Sequence, residues 1–204
     1  LNPLHIYYSQ EARMYVFSAF AVTLSFYFLI KLLEISGKFI FLYAFSIILV
    51  LYSDYVAYFA LIPQFIYVLV YFRNGLKDYL VGFILGLLTF IPWGFIFITQ
   101  FINGLETSKN VPGWAKVVGG SSLKNLLLVF VKSVIGRVSY PDKNIYFSFI
   151  LILGLIYSWI LYKAIYRFKK ESMLLAFWII IPVLIAFVVS FFVPVLSYFR
   201  VLFI

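Results

Sequence analysis

The densest group of residues able to do chemistry lies at the start of the chain, in Asn2-Pro3-Leu4-His5-Ile6-Tyr7-Tyr8-Ser9-Gln10-Glu11-Ala12-Arg13-Met14-Tyr15. A carboxylate such as Glu11 can take up a proton or hold a cation, and the planar fork of Arg13 suits phosphate oxygens. With Ser9 as a helix N-cap, Tyr8, Glu11 and Tyr15 share one face through i+3 and i+4 spacing, while Arg13 points away from it. The same residues also have a purely structural reading. Ser9 caps, Glu11 complements the helix dipole, and Arg13 and the tyrosines anchor at lipid headgroups. On residue types alone both readings stand.

Other candidates are scattered. Asp54 and Tyr55 stand between two apolar runs, either facing a cavity or forming a polar turn. Lys124 and Lys132 either meet lipid phosphates or decorate an amphipathic face. His5 is read as an interfacial residue, and Glu106 and Asp142 as solvated loop charges. The chain has no cysteine and a single histidine, which excludes disulfides, thiolate metal sites and multi-histidine metal centres.

The elements that position these residues are apolar. Hydrophobic residues make up 65% of the chain and charged residues 11%, against about 45–50% and about 25% in soluble domains. Apolar runs cover residues 14–33, 39–52, 55–72, 79–98, 145–162 and 173–193. Backbone groups cannot go unpaired in lipid, so the runs are expected to be helices, and an all-α bundle of about six transmembrane spans follows. No charged residue falls in the middle of a run, which counts against ion pumps, proton relays and voltage sensors. Pro63, Pro92 and Pro182 sit inside runs, where kinks are expected. The chain starts without a signal peptide and stops inside an apolar run, so further sequence is expected at both ends.

Charge sets the orientation. A break at Ser53-Asp54 puts the loops 31–38, 73–77 and 163–170 on one side, with Lys31, Lys38, Arg73, Lys77, Lys163, Arg167, Lys169 and Lys170. The short opposite loops then hold only Arg13 and Arg200, as the positive-inside rule requires. Merging residues 39–62 into one span would separate the first two basic loops. The whole chain, 1–204, reads as one transmembrane domain. Its external parts are the N-terminal stretch, the Asp54 turn, a long segment over 99–144 and the turn around Arg200. Within the long segment, 123–135 is expected to lie in the interface as an amphipathic helix, or else to re-enter the membrane. The net charge of +9 is absorbed by these loops, leaving no basic, aromatic stripe for nucleic acid.

Residues 7–15, Tyr-Tyr-Ser-Gln-Glu-Ala-Arg-Met-Tyr, resemble the external-loop motif of membrane glycosyltransferases of the GT-C fold. The chain is most similar to the dolichyl-phosphate-mannose–protein mannosyltransferases and their bacterial and archaeal relatives. Leu51-Tyr52-Ser53-Asp54-Tyr55 at a turn and Phe90-Ile91-Pro92-Trp93 late in a span agree with that layout. Tyr198-Phe199-Arg200 stands where relatives often read Arg-Tyr, so the order departs there.

The resemblance implies a multi-pass cell-membrane enzyme that moves a sugar from a polyprenyl-phosphate donor to a protein, lipid or glycan acceptor outside the cytoplasm, inverting the anomeric centre. Glu11 would be the catalytic residue, as base or substrate-orienting group, or would hold a divalent metal cation. Arg13, Tyr8, Gln10, Tyr15, Asp54, Tyr55, Lys124, Lys132 and Arg200 would bind substrate; Trp114 either stacks on a sugar or anchors at the interface, the default for a lone tryptophan. The family also carries an acidic catalytic residue in an earlier external loop, upstream of Leu1. Two other classes fit the composition. A transporter or flippase of a lipid-linked intermediate should show polar residues at the bilayer midplane, which the runs are read as lacking; a non-catalytic membrane subunit needs no site. The topology is directly testable in this cysteine-free chain. Lys38→Cys, Lys77→Cys and Lys169→Cys should share one labelling class with an impermeant thiol reagent, and Asn110→Cys should fall in the other. Labelling of Lys38→Cys and Lys77→Cys from opposite faces would remove the hairpin.

Overall fold

The computed structural model describes residues 15–35, 37–110, 122–135, 143–166, 170–193 and 195–196. Among these, every regular element is a helix. In chain order they are α1 (Tyr15–Ile35), α2 (Ile40–Leu51), a 3-10 segment (Tyr55–Ala60), α3 (Leu61–Tyr71), a 3-10 turn (Arg73–Gly75), α4 (Leu76–Leu88), α5 (Ile91–Asn110), α6 (Leu123–Ile135), α7 (Lys143–Tyr166) and α8 (Lys170–Val189). By length and composition, Tyr15–Ile35 and Ser172–Val189 can each cross a membrane, and the bent pair α4–α5 would make a third. Shorter apolar helices cover Ile40–Leu51, Tyr55–Tyr71 and Phe147–Ile160. Large apolar side chains stand exposed along most helices, on α7 nearly all round, including Phe147, Leu155, Trp159 and Tyr162. Water does not tolerate a continuous apolar surface of this kind; a bilayer does.

The bundle is built around α2. On one side it packs against α1, on the other against α4, and α3 packs against α8. The approach of α2 and α4 depends on two glycines one turn apart. A Cβ on Gly82 would sit 2.8 Å from the Tyr43 ring, and one on Gly86 would sit 2.7 Å from Ile47 Cγ2 and 3.1 Å from the Ala44 carbonyl oxygen. Small residues at i and i+4 let two helices touch where lipid supplies no hydrophobic drive between them. Phe26 stacks on Trp178 at 4.1 Å and brings α8 onto the α1 side of the core.

The interior is not purely apolar, which corrects the expectation of a midplane without polar groups. Gln64, Tyr43 and Ser25 are fully buried. The Tyr43 hydroxyl donates to Gln64 Oε1 at 2.7 Å, Gln64 Nε2 donates to Ser25 Oγ at 2.7 Å, and Ser25 Oγ donates to the Val22 carbonyl at 2.7 Å. The chain of bonds crosses α2, α3 and α1 and ends on backbone.

The break at Asp54 is present. Asp54 is extended (φ −153°, ψ 142°) and its side chain accepts the Val56 N–H, capping the 3-10 segment. The two basic loops meet at the opposite end, where the Gly37 N–H donates to Asp78 Oδ2 at 3.1 Å. Gly37 has φ 45°, the left-handed conformation that glycine supplies at least cost. Lys170 Nζ lies 5.1 Å from the Phe72 ring, bringing the start of α8 to this end too. The merged-span alternative would have put the first two loops on opposite faces.

Two other expectations need correction. Pro63 kinks no helix interior; it sits in the first turn of α3, where the 3-10 segment becomes α-helical. Pro92 does more than kink: the run 79–98 divides into α4 and α5 with a bend of 72°. Proline lacks the N–H that the Leu88 carbonyl would need, so α4 ends there, and Trp93 donates to the Phe90 carbonyl at 3.0 Å instead of to Thr89. The helix α5 continues into the segment 99–144, as far as Asn110. Pro182 alone lies inside a continuous helix.

Close packing of α2 on α4 gives a stability prediction. Gly86→Ala should cost about 1–3 kcal/mol by overpacking against a β-branched side chain and backbone. Gly94→Ala, with nothing within 4 Å, should be neutral or slightly stabilising. Thermal unfolding of the two variants in one detergent would expose an error if they shifted equally.

Candidate functional site

The Asp54 turn starts from the end of α2. Ser53 Oγ donates back to the Val50 carbonyl at 2.8 Å, and the Tyr58 hydroxyl takes the Leu51 carbonyl at 2.7 Å. These bonds satisfy acceptors that the helix end would otherwise leave open. Asp54 Oδ1 accepts the Val56 N–H at 3.1 Å. Among the described residues no bond engages Oδ2, and the side chain is half-buried. The Tyr52 hydroxyl reaches across to the Thr89 carbonyl at 2.7 Å, a group freed by the α4–α5 break.

Around this turn the rings converge. Tyr55 lies 5.1 Å from Phe97 and 5.7 Å from Tyr58, and Phe90 lies 5.8 Å from Tyr58 and 5.9 Å from Tyr52. The Tyr55 hydroxyl donates to Gln100 Oε1 and accepts from Trp93 Nε1 at 3.3 Å. This relay turns the Gln100 oxygen inward and leaves its amide N–H groups as donors. The cluster therefore offers aromatic faces, amide donors and a carboxylate oxygen, all at one exposed rim.

Other elements reach the same end. Val56 packs with Val129 of α6, Val183 and Ala186 of α8, and Leu196. Ser190 Oγ accepts the Leu196 N–H at 2.7 Å, folding the chain after α8 back over that contact. Lys132 follows Val129 by one turn and is half-buried, so α6 carries a lysine beside the turn. The 3-10 segment also touches α1, where Tyr15 is buried within the bundle. The structure thus brings Asp54, Tyr55, Tyr15 and Lys132 to one end of the bundle. Glu11, Arg13, Tyr8, Gln10, Arg200, Trp114, His5 and Asp142 lie outside the described residues, as does the Lys124 side chain. No group of three His, Cys, Asp or Glu side chains able to hold a metal occurs among the described residues; the metal expectation rested on Glu11.

Gln100, Phe97 and Tyr52 were missed as site residues. Gln100 falls just after the apolar run 79–98 and reads as the start of a loop; only the continuation of α5 brings it back beside Tyr55. Comparison with protein-family models, curated proteins and solved structures finds no match.

Proposed function

We propose that this chain belongs to a multi-pass membrane glycosyltransferase that moves a sugar from a polyprenyl-phosphate donor to an acceptor on the non-cytoplasmic side. The observation that carries the reading is convergence. The start of α1 at Tyr15, the last residue of the motif at 7–15, the Asp54 turn, the aromatic and amide rim and Lys132 of α6 lie at one end of the bundle. The basic loops lie at the other. The positive-inside rule makes the basic end cytoplasmic and the Asp54 end external.

Six passes between the two ends are consistent with this order. The 3-10 segment and α3 together rise about 28 Å, at about 2.0 and 1.5 Å per residue. At the same α-helical rise, α7 with its 24 residues reaches about 36 Å. The helices α2 and α4 are shorter, about 18–20 Å, and reach across with local thinning of the bilayer. The α4–α5 bend then ends the fourth pass at the external face.

Transfer leaves an anionic lipid phosphate and releases a proton from the acceptor. Arg13, with Lys124 and Lys132, would steady the phosphate. Glu11 would accept the proton, orient substrate or hold a divalent cation, and the Tyr55–Trp93–Gln100 rim would hold the sugar. Arg200 would close the same face. The transporter alternative gains the buried Gln64 from the structure, yet Gln64 is spent on Tyr43 and Ser25 and is fully enclosed. It locks helices and lines no path.

The test is sugar transfer by purified full-length protein from a polyprenyl-phosphate hexose, normalised to monodisperse material. Glu11→Gln keeps size and loses charge, and Arg13→Lys keeps charge and loses the fork. Each should lower turnover about a hundredfold, the scale of losing one electrostatic contact to developing charge. If the two residues only cap and anchor, each change costs about 1 kcal/mol of stability and leaves specific activity near normal. That outcome would return residues 7–15 to the structural reading.

A further inference from the structure

The helix α5 differs in pattern from the other long helices. Where α1, α7 and α8 carry charged residues only near their ends, α5 divides into three faces. One face holds Trp93, Phe97, Gln100 and Phe101 and is docked on the Asp54 turn through Tyr55 and Tyr58. A second holds Ile91, Phe95, Ile98 and Ile102, which are 60%, 77%, 55% and 49% exposed. The third begins with Pro92 and Ile96, both exposed, and continues in its second half with Thr99, Asn103, Glu106 and Asn110, all exposed. On a helical projection at about 100° per residue, the exposed apolar and exposed polar faces lie side by side.

We infer that α5 lies in the external membrane interface, with Ile91, Phe95, Ile98 and Ile102 in the acyl-chain region and Thr99, Asn103, Glu106 and Asn110 in water. Two independent observations agree on this. The 72° bend at the end of α4 turns α5 away from the direction in which α4 crosses. A helix crossing the hydrocarbon would leave the Glu106 carboxylate and its polar neighbours on a lipid face, which is costly. The interface accepts both faces at once. The partner is the headgroup boundary of a lipid bilayer, and the docked face fixes the rim of the site at that depth. The bond from Tyr52 to the Thr89 carbonyl holds the bend at its inner corner.

The inference goes beyond the transfer reaction and is tested without it. Single cysteines at Phe95, Ile98, Ile102, Thr99, Asn103 and Glu106 are placed in the otherwise cysteine-free protein. All six side chains are exposed, so a nitroxide there disturbs no packed contact. Full-length protein is reconstituted in phosphatidylcholine and phosphatidylglycerol vesicles, and accessibility of each nitroxide to oxygen and to a water-soluble nickel chelate is measured. The oxygen-to-nickel ratio should be several-fold higher at Phe95, Ile98 and Ile102 than at Thr99, Asn103 and Glu106, repeating with the helical period. A ratio changing steadily from residue 95 to residue 106 marks a crossing helix and overturns the inference. Six nickel-accessible sites, or six oxygen-dominated ones, overturn it equally.

Discussion

The hydrogen bonds from Tyr43 to Gln64 and from Gln64 to Ser25 are the constraint on which the bundle's arrangement rests. Without a hydrophobic drive between helices in lipid, their register depends on close packing and on polar groups that must find each other. Here three fully buried side chains on three helices satisfy one another and finish on the Val22 carbonyl. Sliding α3 by one residue would leave an amide and a phenol unpaired in a low-dielectric interior. Tyr43 also packs under Gly82, so the residue that fixes α3 sets the approach of α4 as well.

From that register the two ends of the bundle acquire their characters. At one, the bond from Gly37 to Asp78 joins two basic loops and places a carboxylate among their lysines and arginine. At the other, the end of α2 and the α4–α5 break expose carbonyls, and tyrosine hydroxyls take them up: Tyr58 on Leu51 and Tyr52 on Thr89. The aromatic rim is therefore partly a repair of backbone geometry. Those repairs leave over the ring faces, the Gln100 amide and Asp54 Oδ2.

Much of this order was legible in the residues. The all-helical class follows from apolar runs that lipid cannot accept as open strands, and the Asp54 break follows from charge placement along short loops. The bend before α5 was not, because a proline in an apolar run signals a kink without its size. Its amplitude depends on where the freed carbonyls find partners, and Tyr52 is 37 positions from Thr89. Gln64 was hidden for a related reason. A single amide inside an apolar run is as compatible with a pore as with a clasp, and only its two partners decide between them. Gln100 read as loop because the apolar run stops before the helix does.

The clasp is the part of the account most directly open to measurement. Reversible unfolding of full-length protein in mixed micelles would compare Tyr43→Phe, Gln64→Met and the double variant. Each single change leaves the other member of the Tyr43–Gln64 bond without that partner, whereas the double change removes both members of the bond. The singles should therefore sum to more than the double, with a coupling of about 1 kcal/mol, within the span of roughly 0.6–1.7 kcal/mol for such pairs in membranes. Additivity to within about 0.3 kcal/mol would show that the bond does not hold α2 and α3 in register.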